Sequence, residues 1–150
     1  MRKILSFVAA MLVAIVANAA VINISPTSPQ PADNLRLALN GAATGDTIVM
    51  AAGTYVESPS DYIAFTGKEV TVMAAEGAEV ILQPKVPIRL KEGAVATFIN
   101  IKFDCGHLSD VNSYENLIVP ADDTEGKTVI LSGCTVRSAG SLRSSFRSYR

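Results

Sequence analysis

Several basic residues are spaced so that they could bind an acidic polymer. Arg89 stands between Ile88 and Leu90, so an extended strand that buries the two apolar side chains turns the guanidinium outward. Arg and Lys side chains that face outward can pair with the carboxylates of an acidic ligand. A set of solvated outward side chains would give the same pattern. The candidate substrate-binding residues are Lys85, Arg89, Lys91 and Lys102.

Two acidic segments have the residue types of metal or acid–base sites. Residues 104–116 form the longest insertion, and residues 122–125 form an acidic run with oxygen ligands that suit Ca²⁺. Neither has an established ligand spacing, and the chain contains one His. We therefore favour a polar surface loop and an acidic turn over a metal site, and we predict no metal ligands. The residues considered are Asp104, His107, Asp110, Glu115, Asp122, Asp123, Thr124 and Glu125.

Composition excludes several classes of protein. Of the 150 residues, 49% are hydrophobic, and the net charge is −1. The apolar content is enough for one packed domain and argues against intrinsic disorder. Because nucleic-acid binding requires a basic surface, the near-neutral charge predicts no nucleic-acid partner.

The amino-terminal segment 1–19 has the pattern of a secretory signal peptide. Arg2 and Lys3 provide a positive start, residues 4–16 are apolar, and Ala17-Asn18-Ala19 is a small-x-small cleavage site. The apolar run is short for a membrane span of about 20 residues. We predict cleavage after Ala19 and a secreted, periplasmic or cell-surface protein that is not held in a membrane after cleavage.

The middle of the chain repeats itself. The sequence VMAA at 49–52 recurs at 72–75, and looser copies at 96–103 and 129–136 follow at steps of 26 and 33. The isoleucines at 63, 88 and 118 form a second series with steps of 25 and 30. Repeat lengths of this size are typical of stacked arrays. The short β-branched segments between Gly, Asn, Pro and Asp indicate strands, and therefore a parallel β-helix.

Stacking makes specific predictions about register. The steps place Val49, Val72, Phe98 and Leu131 in one inward column. Asn100 coincides with Gly133, which suits a turn in the left-handed region of backbone space.

Both ends of the array are also predicted. Asp33 is a candidate N-cap for a helix that places Leu35, Ala38, Leu39 and Ala42 on one apolar face, over residues 32–43. This helix would cap the array, after an extended lead-in at residues 20–31. The cap and coils occupy residues 32–136. The Ser/Arg-rich residues 137–150 are a disordered tail, an altered or truncated end of a longer protein, or a basic interaction tail.

The two cysteines are considered for a disulfide because the chain is predicted to be exported. The repeat aligns Cys134 with Ile101, four residues before Cys105 on the neighbouring strand. At about 3.3 Å per residue their Cα atoms would be more than about 10 Å apart, which is too far for a bridge. Two separate small apolar positions are therefore favoured over a disulfide.

The opening of the array resembles a known group of proteins. Three segments carry the resemblance: Leu35-Arg36-Leu37-Ala38-Leu39, residues 45–50 (GDTIVM) and residues 53–55 (GTY). They are similar to the start of secreted right-handed parallel β-helix proteins of the pectate-lyase-like superfamily. Within that superfamily, the chain most resembles polysaccharide lyases of the chondroitinase and alginate-lyase type and their uncharacterised secreted relatives. The resemblance covers residues 32–136. It implies an all-β, right-handed parallel β-helix (solenoid) of about four coils with a short N-terminal capping helix.

The same resemblance sets the functional expectation. It implies an exported N-terminal part of a β-helix protein that acts on or binds acidic polysaccharide. The cofactor is left unknown, and Ca²⁺ is a candidate through the family resemblance alone. Any enzyme activity would be that of a polysaccharide lyase in a full-length form, and we expect no catalysis from this chain. The alternative is a non-enzymatic, adhesin-like or structural module. The open C-terminal end would receive further coils or a partner.

Overall fold

The computed structural model describes six stretches of the chain. These are residues 19–26, 31–56, 63–85, 88–105, 117–120 and 125–137, and for residues 31–34 and 119–120 the backbone alone is described. Most of these residues lie in strands, and one short helix accompanies them. The expected all-β composition with a short helix is confirmed for the part of the chain that the structure describes.

Twelve strands and one helix make up the described structure. In chain order they are β1 (Val21–Ile24), α1 (Pro31–Gly41), β2 (Thr47–Met50), β3 (Gly53–Val56), β4 (Ala64–Phe65), β5 (Glu69–Ala74), β6 (Val80–Gln83), β7 (Ile88–Leu90), β8 (Val95–Ile99), β9 (Ile101–Asp104), β10 (Ile118–Pro120), β11 (Thr128–Ser132) and β12 (Thr135–Arg137).

The strands form three parallel sheets. Sheet A has the order β1-β2-β5-β8-β11, sheet B the order β3-β6-β9-β12, and sheet C the order β4-β7-β10. From β2 onward the chain visits sheets A, B and C in turn, and we call each such pass a circuit. Strand β1 pairs in parallel with β2, and every other described pairing joins strands of neighbouring circuits in parallel.

The core lies between the three sheets. Burial alternates along the strands, so every second side chain points inward. Phe98 of sheet A packs edge-to-face against Phe65 of sheet C and Phe103 of sheet B, with ring centroids 5.5 and 5.2 Å apart. Edge-to-face pairs of this kind add to the stabilisation from buried area. One aromatic cluster therefore joins all three sheets.

The predicted inward column is wrong in its first member. Ile48, not Val49, pairs with Val72, while the pairs Val72–Phe98 and Phe98–Leu131 agree with the predicted steps. Ile48 is fully buried, whereas Val49 is partly exposed. The identical VMAA sequences suggested a step of 23, but the strands stack at 24. Since side chains alternate faces, this slip of one residue moves Val49 to the outer surface.

The other predicted registers are confirmed. In sheet C, Arg89 of β7 pairs with Ala64 of β4 and with Val119 of β10, which are the predicted steps of 25 and 30. Asn100 and Gly133 both have positive φ, at 57° and 62°. A Cβ added at Gly133 would overlap Oδ1 of Asn100, so the Asn100 side chain would have to shift. The positive φ at Gly133 also favours glycine where the second turn stacks on the first.

The N-terminal part of the stack starts earlier than the sequence suggested. β1 lies within the predicted lead-in and pairs with β2, so it belongs to sheet A. Helix α1 begins at Pro31, which places Asp33 inside the helix and not at its N-cap. Proline suits a first helical position because its missing N–H has no helical partner there. The predicted buried face is confirmed at Leu35, Leu39 and Ala42.

Helix α1 lies over the first circuit. It contacts β1 and β2 of sheet A, β3 of sheet B and β4 of sheet C. At the other end, β11 and β12 are the last strands of their sheets in the described chain. Their inward residues Val129, Leu131, Cys134 and Val136 are partly buried against the core, and Ile130 is 47% exposed. The described structure therefore has one covered end and one open end.

Replacement of Gly133 tests the stacking of the turns at Asn100 and Gly133. Gly133→Ala should lower the free energy of unfolding by about 1–3 kcal/mol, because the new methyl meets Asn100 and the backbone φ is left-handed. Urea unfolding followed by circular dichroism measures the change. Gly41→Ala is the matched control, since a Cβ there has no neighbour within 4 Å. It should leave stability unchanged or raise it by up to about 1 kcal/mol. Equal stability of the two variants would contradict this account.

Candidate functional site

Most of the outward side chains of sheet B are polar in the part that the structure describes. Inward residues such as Leu82 and Phe103 are fully or almost fully buried, and the residues between them face outward. We call these outward side chains the sheet B face. Its members are Thr54, Val56, Ile81, Gln83, Lys102, Asp104, Thr135 and Arg137.

Three of these polar residues lie in one row across neighbouring strands. The strand register places Gln83 beside Asp104 and places Asp104 opposite Arg137. Nε2 of Gln83 donates a hydrogen bond to Oδ2 of Asp104 over 3.0 Å. Neighbouring strands are about 4.8 Å apart, so the backbone positions that carry the amide, the carboxylate and the guanidinium follow one another at that spacing along the stack. The row therefore offers hydrogen-bond donors and acceptors at regular intervals to a long, linear ligand.

Lys102 lies in the adjacent row and has an acidic neighbour. Its Nζ is 3.0 Å from Oε1 of Glu79, and the two side chains are 53% and 64% exposed. An ion pair this exposed contributes little to stability. An external carboxylate can consequently replace Glu79 as the partner of Lys102 at small energetic cost.

The other predicted binding residues lie outside sheet B. Lys85 follows β6 at the corner between sheets B and C. Arg89 lies in β7 of sheet C, between the buried Ile88 and Leu90, so its predicted outward direction is confirmed. Lys91 directly follows β7. The structure thus distributes the four residues over two sheets and two corners. Lys102 belongs to the sheet B face, and Lys85 lies at its adjoining corner.

Sequence reasoning did not connect Gln83, Asp104 and Arg137. Sheet A stacks β5 on β8 at a step of 26, whereas sheet B stacks β6 on β9 at a step of 21. The corner between β5 and β6 contains more residues than the corner between β8 and β9, which is Asn100 alone. Because the two corners differ in length, the step between these circuits is larger in sheet A than in sheet B. The sequence predicts Arg137 as the first residue of the tail, whereas in the structure it is the last residue of β12.

The predicted acidic segments are described only in part. Asp104 and Glu125 are described, and the remaining residues lie outside the described stretches: His107, Asp110, Glu115, Asp122, Asp123 and Thr124. Within the six described stretches, no group of three or more His, Cys, Asp or Glu side chains is arranged to hold a metal ion.

A recess separates the end of α1 from sheet C. Its lining includes Leu39, Phe65 and Lys68, and its volume is about 260 Å³. Nζ of Lys68 binds the carbonyl oxygens of Leu39, Asn40 and Ala42, which are the acceptors left free at a helix C-terminus. Because ligand sites usually enclose roughly 300–1,000 Å³, and this lysine is held by the helix, we assign the recess a structural role.

Both cysteines are free thiols, as the register argument favoured. Cys105 is buried, and Cys134 is partly exposed with its Sγ 3.3 Å from the carbonyl oxygen of Phe98. Burial, with a smaller contribution from the charge of Asp104, raises the pKa of Cys105 to about 11. A thiol with so high a pKa is a poor nucleophile at neutral pH.

Comparisons with known proteins add no identification. No protein-family model, no curated protein and no solved structure matches the chain. In the part of the chain that the structure describes, no helix has the length and apolar character needed to cross a membrane.

Thiol labelling tests the placement of the cysteines. The protein isolated from an oxidising compartment should carry two free thiols by intact mass, because the strand register keeps them apart. At pH 8 in the folded state, iodoacetamide should modify Cys134 at least about tenfold faster than Cys105, which is protonated and buried. Peptide mass spectrometry measures both rates, and labelling in urea is the control that should make them similar. A Cys105–Cys134 disulfide would contradict the register.

Proposed function

We propose that this chain is an exported right-handed parallel β-helix module that binds acidic polysaccharide. The β-helix part of the proposal is supported by the repeated passage through sheets A, B and C in parallel pairings. A right-handed winding follows from the strong preference of parallel strand crossovers for that hand. The resemblance of residues 32–136 to pectate-lyase-like proteins is a further argument for the same architecture.

Export is supported by the arrangement of the amino-terminal sequence. Two basic residues, an apolar run and the small-x-small sequence at 17–19 are typical of a cleaved leader. Strand β1 begins at Val21, just beyond the proposed cleavage position. Cleavage would therefore leave every described strand and α1 in the processed protein.

The observation that carries the binding proposal is the polar row on sheet B. Gln83, Asp104 and Arg137 occupy neighbouring strands at a regular spacing, and Lys102 stands in the next row. Sugar hydroxyls bind amide and carboxylate groups through hydrogen bonds, and uronate carboxylates pair with Lys and Arg. A linear polymer lying along the stack would meet these groups in succession. Lys85, on the adjoining corner, would extend the contact, whereas Arg89 lies on sheet C and Lys91 just beyond it.

Catalysis is not part of this proposal. A lyase needs a positioned base beside a carboxylate-neutralising group, and we assign neither role to any residue of this chain. A purely structural module, with the polar row simply solvated, is the alternative that the experiment must distinguish.

Affinity electrophoresis or calorimetry with alginate and polygalacturonate tests the binding proposal. The exported protein should bind these polymers, and neutral dextran should not bind, because the contacts include carboxylates. Binding should weaken as salt increases, since the charges are exposed. Lys102→Gln and Arg137→Gln should each reduce affinity by about twofold to fivefold.

Lys127→Gln is the matched control, because it removes the same charge beside sheet A and away from the sheet B face. It should leave affinity nearly unchanged. If neither acidic polymer binds, the structural alternative replaces this proposal. If all three variants weaken binding equally, net charge and not the sheet B face determines the interaction. Formation of an unsaturated uronate product would show lyase activity and contradict a role limited to binding.

A further inference from the structure

Asp46 is the one buried charged residue among those that the structure describes. It lies directly before β2 and is 6% exposed. Its Oδ1 accepts a hydrogen bond from the backbone nitrogen of Ala20, and its Oδ2 accepts one from the backbone nitrogen of Ala43, each over 2.8 Å. These two bonds, and more weakly the Lys68 ammonium, lower the pKa of Asp46 below its ordinary value. The carboxylate therefore carries its charge at neutral pH.

Its partner Ala20 is the residue that follows the proposed cleavage position. In the uncleaved chain the Ala20 nitrogen belongs to a neutral peptide bond. Hydrolysis of the Ala19–Ala20 bond by a signal peptidase adds one water, leaves a carboxylate on Ala19 and gives Ala20 a protonated amine. The same nitrogen would then carry a positive charge beside a buried carboxylate.

We propose that Asp46 is the binding site for the amino terminus of the processed protein, which it holds as an ion pair with the Ala20 ammonium. This inference rests on the export part of the proposed function. It is independent of polysaccharide binding.

The geometry around Ala20 already suits a charged amine. The carbonyl oxygen of Ala20 accepts a hydrogen bond from the Thr47 nitrogen over 2.9 Å, and the β1–β2 pairing continues from Val21. These contacts fix the nitrogen next to Asp46, so the new end need not move. Ala20 is exposed, so water can solvate the remaining N–H protons of the ammonium. A hydrogen bond between two charged groups is stronger than one from a neutral amide.

Processing would thereby strengthen the attachment of β1. Among the described strands, β1 is at the edge of sheet A and pairs with β2 alone, and its first residue, Val21, is 64% exposed. An edge strand near a chain end separates easily unless it is held. The ion pair would hold β1 at its amino end, and only a chain cut at this position would have it.

Three chains that differ only at the amino terminus test the ion pair. They are residues 20–150 with a free amine, the same chain with an acetylated amine, and residues 19–150, in which the ammonium is one residue further away. At pH 6 and low salt, the free-amine chain should have an unfolding equilibrium constant about tenfold smaller than that of either other chain. A tenfold change corresponds to a shift of one unit in the pKa of the amine between the unfolded and the folded chain. Acetylation keeps an N–H donor and removes the charge, so this comparison isolates the charge.

The pH dependence has a defined sign. The extra stability needs a protonated amine, so it should be present at pH 6 and lost at pH 10, above the ordinary α-amino pKa of about 8. Asp46→Asn, which keeps the size of the side chain, should make the free-amine and acetylated chains equally stable at pH 6. If that variant does not fold, the acetylated chain and the pH series still decide the matter. Equal stability of the three chains at pH 6, or a difference that persists at pH 10, would overturn the proposal.

Amino-terminal sequencing of the exported full chain completes the test. A product that begins at Ala20 supports the inference, and a product that begins elsewhere overturns it. Polysaccharide retention of that product is measured separately. A protein that begins at Ala20 and shows the ion pair but does not bind alginate would contradict the binding proposal alone.

Discussion

The in-register burial of side chains between the three sheets is the constraint on which the rest of this structure depends. Ile48, Val72 and Phe98 lie on one another in sheet A, and Phe98 also contacts an aromatic ring from each of the other two sheets. Because side chains alternate along a strand, fixing the inward column also fixes which residues face outward. The composition of the sheet B face is thus a consequence of core packing.

The corners between the sheets absorb the irregular spacing of the sequence. Steps along sheet A from β2 onward are 24, 26 and 33, while the strands themselves remain in register. Asn100 alone forms the corner between β8 and β9, whereas a longer segment separates β5 from β6. Loops at the surface accept such differences with small loss of stability, so the sheets stack evenly. The even stacking allows Gln83, Asp104 and Arg137 to form one row.

Charged groups hold the first end of the stack. Lys68 binds carbonyl oxygens at the end of α1, and Asp46 binds the N–H groups of Ala43 and Ala20. Positive charge at a helix C-terminus and a carboxylate that accepts backbone N–H groups are both favourable arrangements. Together they connect α1, the start of β1 and the start of β2. The inward residues of the last described circuit are only partly buried, so the core is open at this end of the described chain.

The sequence by itself determined the strand-rich composition, the apolar face of α1, the steps of 25, 26, 30 and 33 between stacked strands, and the paired turns at Asn100 and Gly133. These follow from local preferences and from repetition, both of which are visible along the chain. Only the tertiary structure decided that Ile48 and not Val49 faces the core, because an identical short sequence carries no information about which face is buried. It alone also placed Gln83 beside Asp104, and Ala20 beside Asp46, since those contacts between distant parts of the chain depend on corner lengths and strand pairing.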